Sequence, residues 1–159
     1  MLVDETHIEF AKLSDANEIG IMSKNDIERG LGWRYTPESV VKLIHDSEKN
    51  VVVARVASKL VGFGIMTYHE DQANLDLLAV KRNYQRMKIG TQIVQWLEKV
   101  AITAGVFNIF VQVRVSNTGA VAFYKRLGFL VLEEKKGYYR GIEAGIILAK
   151  SLRRMFNAQ

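Results

Sequence analysis

The stretch ANLDLLAVKRNYQRMKIGTQIVQWLEKVAITAGVFNIFVQVRV, residues 73–115, decides the fold. Its first part, 73–80, is rich in apolar residues and predicts a strand. Residues 88–104 carry apolar side chains on one helical face and Gln92, Gln95, Glu98 and Lys99 on the other, and Gly105 is a typical helix stop. Apolar and polar residues alternate over residues 107–115, which predicts a second strand. Because a helix joins the two strands, this is a βαβ unit and the strands are expected to be parallel.

The segments on either side of this unit predict further strands and short helices. Ser14 is expected to cap the first helix, with Asp15 in its first turn, and Asn117 is expected to cap the helix 118–127, which ends at Gly128–Phe129. The other predicted helices are 14–26, 37–47 and 118–127, and the other predicted strands are 6–13, a hairpin over 50–69 that turns at Ser58–Lys59, 129–134 and 143–150. This order predicts a mixed α/β fold whose sheet is mostly antiparallel, with one parallel pair.

The composition is that of one globular domain, which we expect to span residues 1–159. Apolar residues make up 48% of the chain, yet no apolar run approaches the roughly 20 residues that cross a bilayer. The N-terminus lacks the basic and apolar regions of a signal peptide. Cysteine is absent, and the three histidines (His7, His45 and His69) are scattered. We therefore expect a cytoplasmic protein without a membrane anchor or a metal.

The net charge is +5, and the cations are unevenly spread. Residues 80–88 hold four of them and residues 150–154 hold three. Such clusters favour an anionic ligand or an acidic partner surface, although a charge that serves only solubility is the other interpretation. A nucleic-acid-binding module is a further alternative. The chain has neither an aromatic stacking platform nor a helix-turn-helix signal, so we expect no nucleic acid as partner.

The loop that leads into the predicted helix 88–104 has the features of an anion site. The first N–H groups of a helix have no partner within the helix, and the helix dipole adds positive charge there. Gly90 removes a side chain where a phosphate would approach, while Arg86 and Lys88 add cations. The motif is neither a Walker loop nor a Rossmann fingerprint, and a plain solvated loop is the alternative.

Two motifs carry a resemblance to a known family. The first is QRMKIG, residues 85–90, after the strand that ends at Val80; the second is N-x-x-A-x-x-x-Y-x-x-x-G-F, which places Asn117, Tyr124 and Phe129. Both resemble motifs of the GNAT acetyltransferases, and the resemblance extends over nearly the whole chain. The stretches VQVRVSN (111–117) and KKGYYRG (135–141) are similar to those of ribosomal-protein alanine N-acetyltransferases.

The resemblance implies a GNAT-like acyl-CoA N-acyltransferase fold, with helices on both faces of the sheet, and acetyl-CoA as co-substrate. A primary amine would attack the thioester directly, in a ternary complex. Tyr124 would donate a proton to the thiolate, and a role in packing is its other interpretation. The residues implied to bind the cofactor are Leu78, Ala79, Val80, Gln85, Arg86, Met87, Lys88, Ile89, Gly90, Thr91, Asn117 and Tyr124.

The chain departs from the family pattern at two positions. Lys88 stands where the first glycine of the phosphate loop is expected. We expect its backbone to have ordinary right-handed angles, with the ammonium reaching a phosphate; a positive φ is the alternative. Gln112 stands where the alanine N-acetyltransferases have a glutamate as general base, and an amide cannot take a proton at neutral pH.

The general base and the acceptor are therefore open. We favour Asp76 as the base, and the other candidates are Glu70, the pair Tyr138–Tyr139 and a chain of waters. The acceptor amine could belong to a peptide, a lysine side chain, a polyamine or an aminoglycoside. A homodimer is compatible with the sequence. Gln112 also keeps open a protein that binds CoA without catalysis.

Overall fold

The computed structural model of the protein describes residues 5–27, 33–139 and 143–153, with the backbone alone at 26–27, 136–139 and 143. The strands within this part are β1 (Thr6–Phe10), β2 (Lys49–Val56), β3 (Lys59–His69), β4 (Gln72–Val80), β5 (Asn108–Arg114), β6 (Leu130–Tyr139) and β7 (Glu143–Ser151). The α-helices are α1 (Ala16–Met22), α2 (Pro37–His45), α3 (Ile89–Thr103) and α4 (Thr118–Arg126). This order of strands and α-helices is the one predicted from the sequence.

The sheet has seven strands in the order β1-β2-β3-β4-β5-β7-β6. The pair β4 and β5 is parallel, as predicted for the two strands of a βαβ unit. The pairs β1–β2, β2–β3, β5–β7 and β6–β7 are antiparallel. The predicted mixed α/β fold, with a mostly antiparallel sheet and one parallel pair, is thereby confirmed.

Two local predictions in the first 60 residues were wrong. Ser14 does not cap the first helix, because Leu13–Asp15 forms a 3-10 turn and α1 begins only at Ala16. The carboxylate of Asp15 accepts a hydrogen bond from the Lys12 backbone N–H at 2.8 Å, so it closes this short turn instead. The hairpin of β2 and β3 turns at residues 57–58, one residue earlier than expected.

The described residues form two compact units. The first contains the described residues up to Thr67 together with Leu77–Leu97, and the second contains Tyr68–Asp76 and the described residues from Glu98 onward. The prediction of a single domain over residues 1–159 stays a prediction. Within the described part of the chain, no helix has the length and apolar character needed to span a bilayer.

In the first unit, α1 and α2 cover one face of the sheet. Their crossing is close, since a Cβ atom on Gly20 would lie 2.7 Å from the backbone nitrogen of Pro37. The helices and strands share one apolar core, in which Ile19 and Phe63 are fully buried. Its buried members are Ala16, Ile19, Met22, Val40, Val51, Val53, Leu60, Phe63, Ile65, Leu77 and Ala79.

The first half of α3 packs on the opposite face of β3. Two glycines of this strand provide the space, because a Cβ on Gly62 or Gly64 would lie 3.2 or 3.0 Å from side-chain atoms of Ile93. Leu97 lies 3.2 Å from the same position on Gly64. Contacts this short are tighter than ordinary packing, so a larger residue would displace the helix. Helices therefore cover both faces of this unit, as the family resemblance implied.

In the second unit, the end of α3 carries a buried ion pair. Glu98 was assigned to the polar face of the helix, but it is 1% exposed. Its carboxylate accepts a hydrogen bond from the ammonium of Lys150 on β7 at 2.8 Å. The prediction for Glu98 was wrong because its partner lies 52 residues away in the sequence.

Candidate functional site

Hydrogen bonds within the first unit hold the loop that follows β4. The Lys81 backbone N–H donates to the Val61 carbonyl at 2.7 Å, which continues the contact with β3. The Tyr84 N–H donates to the Lys81 carbonyl at 2.8 Å and closes a 3-10 turn. The side-chain amide of Gln85 then donates to the Val80 carbonyl at 3.0 Å. Gln85 therefore shapes the base of the loop through its side chain.

The backbone of the loop corrects the expectation for Lys88. Lys88 has φ +62° and Arg86 has φ +66°, so both are left-handed. The right-handed angles expected for Lys88 were wrong. The chain turns sharply here to enter α3, since the Lys88 carbonyl accepts the N–H of Gln92 at 3.0 Å and begins the helix. Lys88 thus has the backbone conformation that a glycine adopts without cost.

This geometry exposes the N-terminus of α3. The side chains of Arg86 and Lys88 are exposed, and Ile89 is 1% exposed, so Ile89 can offer a ligand only its backbone. Gly90 is the second residue of the helix and is partly exposed. The N–H groups of a first helical turn lack acceptors within the helix. Together with the two cations they form an arrangement suited to a phosphate group.

The end of β4 has two different faces. Leu75, Leu77 and Ala79 are buried, with Ala79 only 7% exposed. Leu78 and Val80 are partly exposed on the other face, and Asp76 is exposed there as well. Strand alternation therefore turns the Asp76 carboxylate to the same face as Leu78 and Val80.

In the second unit, Asn117 caps α4. Its side-chain oxygen accepts the Ala120 N–H at 3.1 Å, which satisfies one of the free donors of the helix start. The capping predicted from the sequence is confirmed. Whether Asn117 also binds a cofactor stays a prediction.

The C-terminal end of α4 explains the spacing of the second motif. The Phe129 N–H donates to the Tyr124 carbonyl and the Gly128 N–H donates to the Lys125 carbonyl, both at 3.0 Å. This is the Schellman arrangement, and Gly128 takes the left-handed angle it requires, φ +97°. Tyr124 and Phe129 are the two residues that pack together in such a motif, and their ring centroids lie 5.3 Å apart. Tyr124 is 5% exposed.

The candidate bases whose side chains the structure describes are both exposed. Asp76 lies on β4 in the second unit, and Gln112, the amide in place of the relatives' glutamate, is exposed on β5 in the same unit. Glu70 is also exposed, in the turn between β3 and β4, with φ +55°. The side chains of Tyr138 and Tyr139 lie outside the described residues, so a role of this pair as the general base stays a prediction.

Sequence reasoning missed two polar contacts of α1. The Lys81 ammonium lies 2.5 Å from a Glu18 carboxylate oxygen, which ties α1 to the loop after β4. The indole N–H of Trp33 donates to the Gly20 carbonyl at 3.0 Å, and Lys24 lies over its ring. Lys81 and Glu18 are 63 residues apart, and Trp33 and Gly20 are 13 residues apart, so no local pattern predicted these contacts. The one-turn π-helix Ser23–Ile27 directly follows α1.

A third missed group joins β1, β2 and the turn before α1. The Arg55 guanidinium donates to Asp15 at 2.7 Å and to Glu9 at 3.0 Å. Its hydrogen bond and charge hold the pKa of Glu9 below the ordinary value of 4.5, and the hydrogen bond to Asp15 raises the pKa of Arg55. The group borders a cavity of about 520 Å³ that contains no site residue predicted from the sequence.

Two relatives share a long stretch of sequence with the chain. N-alpha-acetyltransferase 50 of Danio rerio is 40% identical over 73 residues, which is 44% of this chain and 44% of the relative. The [Ribosomal protein bS18]-alanine N-acetyltransferase of Escherichia coli K12 is 34% identical over 94 residues, which is 57% of this chain and 64% of the relative. The chain thus matches less than two thirds of the length of either protein.

Solved structures share the fold over most of the chain. Ard1 from Thermoplasma volcanium has a TM-score of 0.83 at 20% identity, over 92% of this chain and 97% of its own. The PaiA N-acetyltransferase from Thermoplasma acidophilum, solved in complex with coenzyme A, has a TM-score of 0.78 at 21% identity, over 92% and 98%. The sequence pattern of the acetyltransferase (GNAT) family matches residues 22–129. The chain belongs to the GNAT acetyltransferase family.

Proposed function

We propose that the protein is an acetyl-CoA-dependent N-acetyltransferase that transfers an acetyl group to a primary amine. The observation that carries the proposal is the loop from Gln85 to Lys88. Its two left-handed residues direct exposed cations and free backbone N–H groups to the start of α3. The family match and the coenzyme A bound to PaiA support acetyl-CoA as the co-substrate.

The reaction is a direct acyl transfer. The amine nitrogen attacks the thioester carbon, and backbone N–H groups of Leu78–Val80 stabilise the oxyanion, a contribution of about 3–4 kcal/mol for one such donor. The tetrahedral intermediate then collapses: the C–S bond breaks, and the new C–N bond remains in the product. Tyr124 gives its proton to the leaving thiolate, and the Asp76 carboxylate takes the proton that the amine loses.

The acceptor class that we propose is the α-amino group of a protein. Two relatives support it, since their names describe an N-alpha-acetyltransferase and an alanine N-acetyltransferase of a ribosomal protein. The cation-rich surface agrees better with an acceptor that carries one positive charge than with a polycation. A cytoplasmic location and a homodimer both stay predictions.

The test is an acceptor screen with acetyl-CoA that detects the released CoA thiol. The acceptors are short synthetic peptides with a free α-amino group that differ in their first residue. The matched controls are the same peptides with a blocked α-amine and one free lysine, together with spermidine. Because the chain has no cysteine, the protein itself gives no signal with a thiol reagent.

The expected result is thiol release that requires the free α-amine. Turnover on the lysine peptides or spermidine alone would keep the enzyme class and overturn the acceptor class. Binding of acetyl-CoA without turnover on any acceptor would favour the second candidate, a protein that binds CoA without catalysis. Gln112 is the observation that supports this alternative, because an amide replaces the base of the relatives' motif.

A further inference from the structure

The parallel ladder between β4 and β5 ends close to the two residues that matter for proton transfer. It joins four residue pairs, and the last of them is Leu75 with Val111. The next residue of β4 is Asp76 and the next residue of β5 is Gln112. Paired neighbouring strands lie about 4.8 Å apart, so Asp76 and Gln112 each lie one residue beyond a pair with this spacing.

Both side chains lie on the same face of the sheet. Leu75 and Val111 are buried, at 4% exposure each. Asp76 and Gln112 follow them by one residue and are both exposed, as alternation requires. The second compact unit contains both residues, so their adjacency belongs to that unit alone. A carboxylate and an amide therefore lie on one face of the sheet, each one residue beyond the last pair of the ladder.

We propose that Asp76 and Gln112 act as one proton-accepting pair, with Asp76 as the base and Gln112 as its positioning residue. The inference rests on the proposed function. The amide N–H of Gln112 orients the carboxylate toward the amine. The carboxylate that the related motif supplies from β5 is supplied here from β4, one strand away.

The chemistry explains why an amide suits position 112. A glutamate there would place two carboxylates side by side, and their repulsion would raise the pKa of one of them. The protonated carboxyl could no longer accept a proton from the amine. Gln112 keeps a hydrogen-bond donor of similar size at the position without adding a second negative charge.

The experiment exchanges the carboxylate between the strands. Asp76→Asn is expected to lower kcat by roughly 10²- to 10⁴-fold, the range for a general base. The double variant Asp76→Asn with Gln112→Glu is expected to recover at least about tenfold over Asp76→Asn, because the pair again holds one carboxylate and one amide. Gln112→Glu alone is expected to move the acidic limb of the kcat/KM profile to higher pH.

A matched control places the new carboxylate elsewhere on β5. Asn108 is exposed on the same face but pairs with Gln72 at the start of the ladder. The double variant Asp76→Asn with Asn108→Glu is therefore expected to show no recovery. Gln112→Ala is expected to lower kcat while the KM for acetyl-CoA is unchanged, and melting curves establish that each variant is folded.

The outcomes separate this inference from the proposed function. If the wild type turns over peptides but Asp76→Asn does so equally well, the pair is not the base and only this inference fails. The same holds if the exchange variant is folded, binds acetyl-CoA and recovers nothing. A wild type that neither binds acetyl-CoA nor releases thiol would overturn the proposed function, and with it the pair.

Discussion

Lys88 has a left-handed backbone conformation, which glycine adopts without cost. Its φ of +62° costs a residue with a Cβ atom about 1 kcal/mol. Lys88→Ala and Lys88→Gly both remove the ammonium, but only the glycine also removes the backbone strain. We therefore expect Lys88→Gly to bind acetyl-CoA about fivefold more tightly than Lys88→Ala if the loop must keep this angle to bind. Calorimetric titration of both variants measures the difference.

The charge of Lys88 is tested in the same titrations. Relative to the wild type, both variants are expected to lose affinity, and the loss shrinks at high salt because screening already weakens the ammonium. Equal affinities for the two variants would contradict the strain argument. Tighter binding by Lys88→Gly than by the wild type would make the lysine a net obstacle in the loop.

Tyr124 combines a packing role with a proposed chemical role. Its ring lies against Phe123 and Phe129, with centroids 5.0 and 5.3 Å away. Tyr124→Phe keeps the ring, so we expect the affinity for acetyl-CoA to be unchanged while kcat falls by roughly 10²-fold or more. Steady-state rates with a peptide acceptor, together with binding titrations, measure the two quantities. Unchanged turnover, with chemistry as the slow step, would leave Tyr124 as a packing residue alone.

At the scale of elements, the pair Glu98–Lys150 joins α3 to β7. Lys150→Met leaves a carboxylate buried without its cation, and such a loss costs about 3–5 kcal/mol. Replacing both residues, as Glu98→Leu with Lys150→Met, removes the buried charge and is expected to recover most of that stability. Urea unfolding of the single and double variants measures both effects. A double variant as unstable as the single one would contradict this account.

Glu9 and Arg55 join β1 to β2 and give the fold a pH dependence. The Arg55 guanidinium lowers the pKa of Glu9 in the folded chain, so this contact stabilises the fold above about pH 4.5 and is lost as the pH falls through the lowered value. Arg55 remains charged throughout. The free energies of unfolding of the wild type and of Glu9→Gln should therefore differ near neutral pH and become equal in acid. A difference that persists well below the lowered pKa would contradict the assignment.

At the scale of the whole molecule, ligand binding is expected to stabilise the chain. A ligand that binds only the folded state adds about 2.7 kcal/mol at a hundredfold excess over its Kd. Thermal unfolding with acetyl-CoA measures this gain, and CoA without the acetyl group is the matched comparison. No shift at millimolar acetyl-CoA would contradict the proposed function.

The sequence by itself determined the order of strands and α-helices, the parallel pair and the capped helix of the second motif. These features depend on local periodicity and on short motifs, such as the Asn117 cap and the glycine that ends α4. The βαβ rule then converts a local pattern into a parallel pair without any knowledge of distant contacts. The family resemblance was carried by the same local spacing.

Only the tertiary structure decided which distant residues meet. The partner of Glu98 is 52 residues away, and the ladder of β4 and β5 ends one residue before Asp76 and Gln112. The left-handed angle of Lys88 was likewise invisible, because lysine ordinarily prefers right-handed angles and here the entry into α3 overrides that preference. Each outcome depends on contacts between elements, which no window of sequence contains.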